Sequence, residues 1–510
     1  MMNQASAVQR LFDLRSLSLF SAIRDDAVLA SLGRLLEALA EESAGLRVIA
    51  ERWAAFAGEM AGQSIPLRVR LAASAAADEN AFTLTAERGG HDVVPPALLA
   101  AAKTDLARLG RIAALDAAEL AAEVADRLRK ADLREAADDI LAEGAGLTAS
   151  AGLTAANGFA ALAAVAASGG VSTPEAQPGF VSGIHPATFA LLAAPAWEKA
   201  IAPFARAIRQ AGAGSLGIHR SFIWNRRNDD GSRVSAALVP VRHPDPIRLA
   251  DLSGYEDQRS VVISNTLRFM EGKAANNLLL YGDRGTGKSA TVKAICNEYA
   301  DKSLRLVEVR KDALPRFSDI LEALADRAAR FVVFVDDLTF EKTDDAYTGL
   351  KALLEGGAEE KPDNVVVYAT SNRRHLVKER LADRPTTAAA ALAAETGDVR
   401  AFDSMQEQLS LADRFGITVV YSSPNQDEYL RIAEFIAESR GLLPAAAAGA
   451  ATASGAGSAK GAGAVTNGSV QREKFRADAL RWERWFNGRS PRTARQYVDW
   501  IEGGEGFPWE

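Results

Sequence analysis

The chain has 510 residues, of which 48% are hydrophobic and 25% are charged, and its formal net charge is -7. At roughly 150 residues per domain this length predicts about three domains, each with room for a core. The acidic balance argues against a protein that coats nucleic acid through bulk electrostatics, although it leaves room for a local basic patch. A single cysteine excludes an intrachain disulfide and is typical of a reducing compartment, so we expect a cytoplasmic protein.

The sequence predicts neither a signal peptide nor a membrane span. Arg10, Asp13 and Arg15 interrupt the amino-terminal apolar residues, as a secretory signal would not allow. The most apolar segment, 153–170, is mostly alanine with glycines inside it, which favours a packed helix over a bilayer span. We therefore expect no membrane partner.

The pattern along the chain divides it into four regions. Alanine-rich residues at helical spacing predict a mostly α-helical amino-terminal domain, and Leu120, Val124 and Leu128 mark one of its buried faces. Two β-prone runs, SLGIHRSFIW and VSAALVPV, then predict a hairpin or a pair of edge strands. The predicted regions are 1–212 (helical domain), 213–247 (hairpin-like connector), 248–424 (α/β core) and 425–510 (helical region with a flexible Gly/Ala linker at about 443–469).

Short β-rich runs alternate with helical ones in the third region, a pattern typical of a parallel sheet with crossover helices. The helix after the first run should bury Cys296 in the core. The predicted strands are NLLLY, LRLVEV, FVVFV, VVVYAT and ITVVY, and the helices that follow are QDEYLRIAEFIAES and two more near 470–486 and 492–501.

The first strand leads directly into GDRGTGKS, which fits the phosphate-binding pattern G-x-x-x-x-G-K-[ST]. Its glycines let successive backbone N–H groups turn inward towards phosphate oxygens, and the next helix adds its positive end. Lys288 should reach the β- and γ-phosphates, and the Ser289 hydroxyl should bind magnesium. The predicted cofactor-binding residues of this segment are Gly282, Asp283, Arg284, Gly285, Thr286, Gly287, Lys288, Ser289 and Ala290.

Polar residues also follow two later strands, at the carboxyl edge where ligands bind in open α/β sheets. Asp336 ends FVVFV and should hold magnesium. Asp337 follows it directly, and either Asp337 or the nearby Glu341 is the expected base. After VVVYAT, Asn372 is our first choice for a residue between the metal and the γ-phosphate, with Thr370 next.

Two arginine positions complete the candidate site. Arg414 lies just before ITVVY, where it could reach a neighbouring subunit's γ-phosphate as an arginine finger. Arg492 or Arg495, at the start of the last helix, could sense nucleotide.

In this order the motifs resemble those of AAA+ P-loop ATPases, and GYEDQ, DDLTFE, YATSNRRHL, LADRFG and RTARQYVDW narrow the resemblance to the bacterial ATP-binding family of unknown function DUF815. The resemblance implies an α/β AAA+ core of five parallel strands with a carboxy-terminal helical lid. It also implies ATP and Mg²⁺ as cofactors, a homo-oligomer, and Tyr255 or its neighbours near the adenine. It names no substrate.

The leading functional hypothesis is an ATPase that remodels or moves an unknown macromolecular partner. A nucleotide-gated switch with little turnover is the second, because Asp337 stands where many ATPases of this type carry a glutamate that activates water. A DNA-associated loader is the third and less favoured, since the basic, tryptophan-bearing segment 471–496 could grip nucleic acid, whereas Trp482, Trp485 and Phe486 have the spacing of a packed helix face. ATP is favoured over GTP because the later strands lack an N/T-K-x-D element.

Overall fold

The computed structural model describes residues 4–62, 65–150, 184–224, 238–338, 361–372, 414–444, 462–486 and 488–504. The predictions made for Glu341 and for the apolar segment 153–170 lie outside these residues. The chain divides into two compact units, and each is described by itself. A helical unit comprises Met1–Arg220 with Asp301–Ser303 and Arg327–Ala329, and an α/β unit comprises Ser221–Ala300, Leu304–Asp326 and Arg330–Glu510.

The helical unit is built from amphipathic helices around one apolar core. Leu120, Val124 and Leu128 are buried as their spacing predicts. Asp26 shows how a helix start is fixed, because its carboxylate accepts hydrogen bonds from the N–H groups of Val28 and Leu29. The helices are α1 (Gln4–Arg15), α2 (Ala27–Ala40), α3 (Leu46–Ala61), α4 (Leu67–Ala77), α5 (Ala81–Gly89), α6 (Pro96–Ala113), α7 (Ala117–Lys130), α8 (Arg134–Ser150), α9 (Ala187–Leu192) and α10 (Ile201–Ala211).

A seven-stranded sheet forms the centre of the α/β unit, in the order β2-β1-β4-β5-β6-β3-β7. All neighbouring pairs are parallel except β1 and β2, which pair antiparallel. The five predicted core strands are confirmed as β3 to β7. The strands are β1 (Ser221–Trp224), β2 (Leu238–Pro240), β3 (Leu278–Gly282), β4 (Leu304–Glu308), β5 (Arg330–Val335), β6 (Val365–Ser371) and β7 (Ile417–Tyr421).

The two connector strands extend this sheet beyond the five strands expected. β1 pairs with β4, so the connector continues the main sheet instead of standing apart from it. The physical reason is the unpaired N–H and C=O row at the edge of β4, which β1 satisfies. The short strand β2 is therefore the edge strand on this side of the sheet.

Both faces of the sheet are covered. On one face Leu278, Leu280 and Phe334 pack with Val292 and Cys296 of a following helix. Alternate residues of the inner strands, such as Leu279, Val333 and Val367, are equally buried on the other face, as continuous apolar strands predict for a parallel sheet, whereas Thr418 and Val420 of the edge strand β7 are exposed there. The helices of the core are α11 (Glu256–Met270), α12 (Lys288–Glu298) and α13 (Phe317–Ala325).

Three carboxy-terminal helices form the lid, with Tyr429, Trp482 and Tyr497 in its core. The second of them begins at Ala462, inside the predicted flexible linker, because alanine favours helix even in a glycine-containing segment. Trp482 is 5% exposed and Trp485 is 62% exposed. The predicted packing of Trp485 is therefore wrong. Its side chain lies about 100° around the helix from that of Phe486 and is exposed to solvent. The lid helices are α14 (Gln426–Ser439), α15 (Ala462–Trp485) and α16 (Pro491–Glu502).

Among the described residues, every helix is too short or too polar to cross a membrane.

Candidate nucleotide site

The glycine-rich loop joins β3 to α12 in a backbone conformation that glycine makes possible. Gly282, Gly285 and Gly287 have φ values of 138°, 78° and 92°. A Cβ atom on Gly282 would lie 2.0 Å from the carbonyl oxygen of Tyr421. The close approach of β7 therefore requires glycine at this position.

Lys288 begins α12 and folds back over the loop. Its Nζ donates hydrogen bonds to the carbonyl oxygens of Gly282 at 2.9 Å and Asp283 at 2.7 Å, and to Oδ1 of Asn372 at 3.1 Å. Burial lowers the pKa of Lys288, and the nearby carboxylates of Asp283, Asp336 and Asp337 oppose that shift. The ammonium group thus lies at the centre of the candidate site.

The ends of β5 and β6 are adjacent in the sheet, which brings their polar residues together. Val335 pairs with Ala369, so the next residues, Asp336 and Thr370, meet beyond the pair. Oδ1 of Asp336 accepts hydrogen bonds from the hydroxyls of Thr370 at 2.5 Å and Ser289 at 2.6 Å. The two predicted magnesium ligands, Ser289 and Asp336, are therefore in direct contact.

Asp337 is held in a left-handed backbone conformation with φ of 50°. Its N–H donates to Oγ1 of Thr370 at 2.9 Å, and its Oδ1 accepts from Nδ2 of Asn372 at 2.6 Å. Asn372 thus bridges the carboxylate of Asp337 and the ammonium of Lys288. A non-glycine residue in this conformation is strained, and such strain is concentrated at functional sites.

These groups open onto a cavity of about 700 Å³ between the loop and the lid. The predicted site residues that line it are Arg284, Gly285, Thr286, Gly287, Lys288, Ser289, Ala290, Asp336, Asp337, Asn372 and Arg492, and the alternatives Thr370 and Arg495 line it too. The sequence reasoning missed four others, Asp245, Ile247, Leu252 and Pro491. The proline-rich RHPDPI segment indicated only a boundary, and no motif marked it as a wall of the cavity.

The lid reaches the loop through the start of α16. The N–H of Arg492 donates to the carbonyl oxygen of Gly285 at 3.2 Å. Since Arg492 and Arg495 both line the cavity, the geometry leaves both as sensor candidates.

Four predicted residues do not line the main cavity, and the first of them, Gly282, is the last residue of β3. Tyr255 borders two neighbouring cavities of about 40 Å³ and about 520 Å³, and its hydroxyl donates to the carbonyl oxygen of Ser422 at 2.7 Å. The carboxylate of Asp283 points to Ser423 and away from the main cavity. Arg414 is half-buried before β7 and is not among the residues that line the main cavity.

The residues present fit a nucleotide with magnesium. A cavity of about 700 Å³ is within the size range of small-molecule sites. Mg²⁺ prefers oxygen ligands, keeps several waters and needs only one or two protein groups, as Ser289 and Asp336 offer. No group of three or more His, Cys, Asp or Glu side chains suited to a metal occurs in the described part of the chain, which is compatible with such a sparse ligand set.

The strand order, the loop after β3 and the acidic end of β5 define a P-loop protein with an AAA+ core and a helical lid. Within this class, the chain belongs to the family described as protein of unknown function DUF815, whose model matches residues 218–505, more than half of the chain.

Among solved structures, the chain is similar to the Thermotoga maritima RuvB Holliday junction branch migration motor, with 14% identity, 50% of this chain and 72% of that chain covered, and a TM-score of 0.27. It is also similar to a DNA replication initiation factor, with 12% identity, 51% and 65% coverage, and a TM-score of 0.30. At these TM-scores the likeness is coarse, so the fold assignment rests on strand order and the loop. No curated protein sequence matches the chain.

Proposed function

We propose that this protein binds ATP with Mg²⁺ in the main cavity and hydrolyses it. One observation carries the proposal: Lys288, Ser289, Asp336, Asp337 and Asn372 form a connected polar cluster at the carboxyl ends of β3, β5 and β6. Open α/β sheets bind ligands at this edge. The glycine loop beside the cluster supplies N–H groups suited to phosphate.

Each residue of the cluster has a distinct role in this proposal. The loop amides and Lys288 hold phosphate oxygens, and the ammonium turns from the two loop carbonyls to do so. Ser289 and Asp336 hold the metal, which when bound neutralises charge on the phosphates. Asp337 accepts the proton of the attacking water, and Asn372 orients that carboxylate.

The shorter side chain of Asp337 bears on turnover. Aspartate places its carboxylate one methylene nearer the backbone than glutamate would, and the left-handed conformation redirects it towards Asn372. If this geometry does not support proton transfer, the site is a nucleotide-gated switch, which is our second candidate.

The lining of the main cavity includes apolar side chains, which we propose contact the base. Ile247, Leu252 and Pro491 line the cavity, and apolar side chains suit the faces of a purine ring. The preference for ATP over GTP stays a prediction from the missing N/T-K-x-D element.

Assembly is part of the proposed mechanism. Since Arg414 lies away from the cavity of its own chain, a role at the γ-phosphate requires a second copy of the protein. We therefore propose a homo-oligomer whose turnover is coupled to an unidentified macromolecular partner.

The decisive experiment is steady-state ATPase activity against protein concentration, with Lys288→Ala, Asp337→Asn and Arg414→Ala variants. We expect specific activity to rise with concentration and to vanish in the first two variants. Arg414→Ala should bind nucleotide normally yet hydrolyse it about 10³-fold more slowly. Tight ATP binding without turnover in the unmodified protein would establish the switch instead, and full activity of Arg414→Ala at all concentrations would exclude the shared site.

One observation keeps a nucleic-acid role as a further candidate. Arg481, Arg484 and Trp485 are exposed on α15, and arginines beside an exposed aromatic ring can contact phosphates and stack on bases. Binding to single- or double-stranded DNA that weakens with salt would support this role, and no binding at low salt would remove it.

A further inference from the structure

The glycine loop is tied to the segment that leads into the lid through Asp283. Oδ2 of Asp283 accepts hydrogen bonds from the N–H of Ser423 at 2.8 Å and from its hydroxyl at 2.6 Å. The N–H of Asp283 donates to the carbonyl oxygen of Tyr421 at 3.0 Å. Three hydrogen bonds therefore join one loop residue to the end of β7 and the residues after it.

The main chain of Asp283 faces the phosphate side of the loop. Its carbonyl oxygen accepts hydrogen bonds from Nζ of Lys288 at 2.7 Å and from the Thr286 hydroxyl at 2.9 Å. Any turn of Lys288 towards a phosphate breaks the first of these bonds. Asp283 is thus connected on one side to the phosphate-binding ammonium and on the other to Ser423.

Ser423 is close to the first lid helix. Asn425 caps α14 through a reciprocal pair of hydrogen bonds with Glu428, and buried Pro424 is the one residue between Ser423 and that cap. Because a capped helix start and a proline leave little backbone freedom, movement at Ser423 is transmitted to α14.

We propose that Asp283 is a positioning residue that couples the nucleotide-binding loop to the lid through Ser423. The inference rests on the proposed function, because it assigns a regulatory contact to the same site. Hydrogen bonds from the side chain and backbone of Ser423 hold the pKa of Asp283 below its ordinary value, so the carboxylate is ionised at neutral pH and the contact is charge-assisted.

The test uses the full-length chain with Asp283→Ala, Ser423→Ala, the double variant and two matched controls. Ser423→Thr keeps the hydroxyl. Ser422→Ala removes the neighbouring hydroxyl, which has no hydrogen-bond partner among the described residues. Affinity for ADP and for a slowly hydrolysed ATP analogue is measured by calorimetry, and backbone hydrogen exchange is followed with and without each nucleotide. Thermal melts establish that each variant is folded.

In the unmodified protein, nucleotide should slow exchange both in the loop and in residues 421–430. In both alanine variants the loop should still be protected. The protection at 421–430 should be lost in Asp283→Ala and reduced in Ser423→Ala, which keeps the bond from the N–H of residue 423. Each should weaken affinity by about three- to tenfold, and the double variant should be no weaker than Asp283→Ala, as expected for two groups in one contact. Both controls should match the unmodified protein.

The outcomes separate the two proposals. If the unmodified protein binds nucleotide and both alanine variants behave like Ser422→Ala, the coupling is wrong and the proposed function stands. If Asp283→Ala does not fold, the comparison of Ser423→Ala with Ser423→Thr still tests whether the hydroxyl bond to Asp283 couples the loop to the lid. If the unmodified protein binds neither nucleotide, the proposed function fails.

Discussion

Lys288 is a buried cation in the candidate site. It is 6% exposed, and its burial outweighs the attraction of three aspartates, so its pKa lies below the ordinary lysine value. The unfolded chain therefore binds this proton more tightly than the folded chain does. Without nucleotide, Lys288 consequently destabilises the fold most at pH values below its folded pKa. The penalty decreases as pH rises above that value and is gone above the ordinary lysine pKa.

We expect Lys288→Met to abolish nucleotide binding without lowering thermal stability. Methionine keeps the apolar stem and removes the buried charge, so the melting temperature of nucleotide-free protein at pH 7 should be unchanged or higher. The difference from the unmodified protein should narrow as pH rises towards about 10. Calorimetry checks both points. A clearly lower melting temperature at pH 7 would mean that the three hydrogen bonds of the ammonium outweigh its burial.

Thr370 controls the geometry of both aspartates, because its hydroxyl donates to Asp336 and accepts from the N–H of Asp337. We expect Thr370→Val to slow hydrolysis by about tenfold or more while changing nucleotide affinity by less than about threefold, since displaced catalytic groups cost more than displaced binding groups. The measurement is kcat together with the nucleotide Kd. Thr418→Val, at an exposed position of β7, is the control and should leave both unchanged. If Thr370→Val and Thr418→Val changed kcat and Kd equally, Thr370 would not be the residue that positions the two aspartates.

At the scale of elements, a nearly buried carboxylate joins two lid helices. Glu434 on α14 is 6% exposed and accepts hydrogen bonds from Arg476 on α15 at 2.8 and 3.0 Å, and Arg472 is 3.4 Å away. Removing the carboxylate takes away the hydrogen bonds of Arg476, whereas Arg472 keeps its bond to Glu438 at 2.7 Å.

We expect Glu434→Ala to destabilise the lid by about 1 to 2 kcal/mol, seen as faster hydrogen exchange in α14 and α15. Glu502→Ala is the control in the same lid. It removes an exposed partner of Arg440, and such surface pairs contribute little. If the two variants exchange at the same rate, the Glu434 cluster does not hold the helices together.

At the scale of the whole molecule, Cys296 reports on the opening of the α/β unit, because it is the one cysteine in the sequence. It lies on α12, the helix that begins at Lys288, and its burial raises the pKa of its thiol. Since the thiolate is the reactive form, a thiol reagent reacts only after the unit opens.

We expect labelling of Cys296 in the native protein to be slow and to accelerate with the unfolding transition in guanidinium. Saturating ATP analogue with Mg²⁺ should slow labelling further, because ligand binding stabilises the folded state. The Lys288→Met variant is the control and should show no such slowing. Fast labelling in the absence of denaturant would mean that the core around α12 opens easily.

Much of this organisation could be predicted from the sequence because the signals are local. The glycine loop, Lys288 and Ser289 follow one another in the chain, and the five apolar core strands are each a single uninterrupted run. Helix α14 lies where its amphipathic pattern indicates, with Asn425 as its cap. The helical start at Ala462 was missed because alanine and glycine together do not distinguish a helix from a flexible linker.

Taken by itself, the sequence determined the fold class, the family and the residue types of the glycine loop, because strand patterns and the loop motif depend on neighbours in the chain. Only the tertiary structure decided that Ser289 meets Asp336, that Asn372 joins Lys288 to Asp337, and that Asp283 faces Ser423. It also put Ile247 and Leu252 on the wall of the main cavity, and Tyr255 beside a smaller cavity that shares Leu252 with it. These contacts join residues far apart in the chain, so they depend on strand order and side-chain direction, which no local pattern specifies.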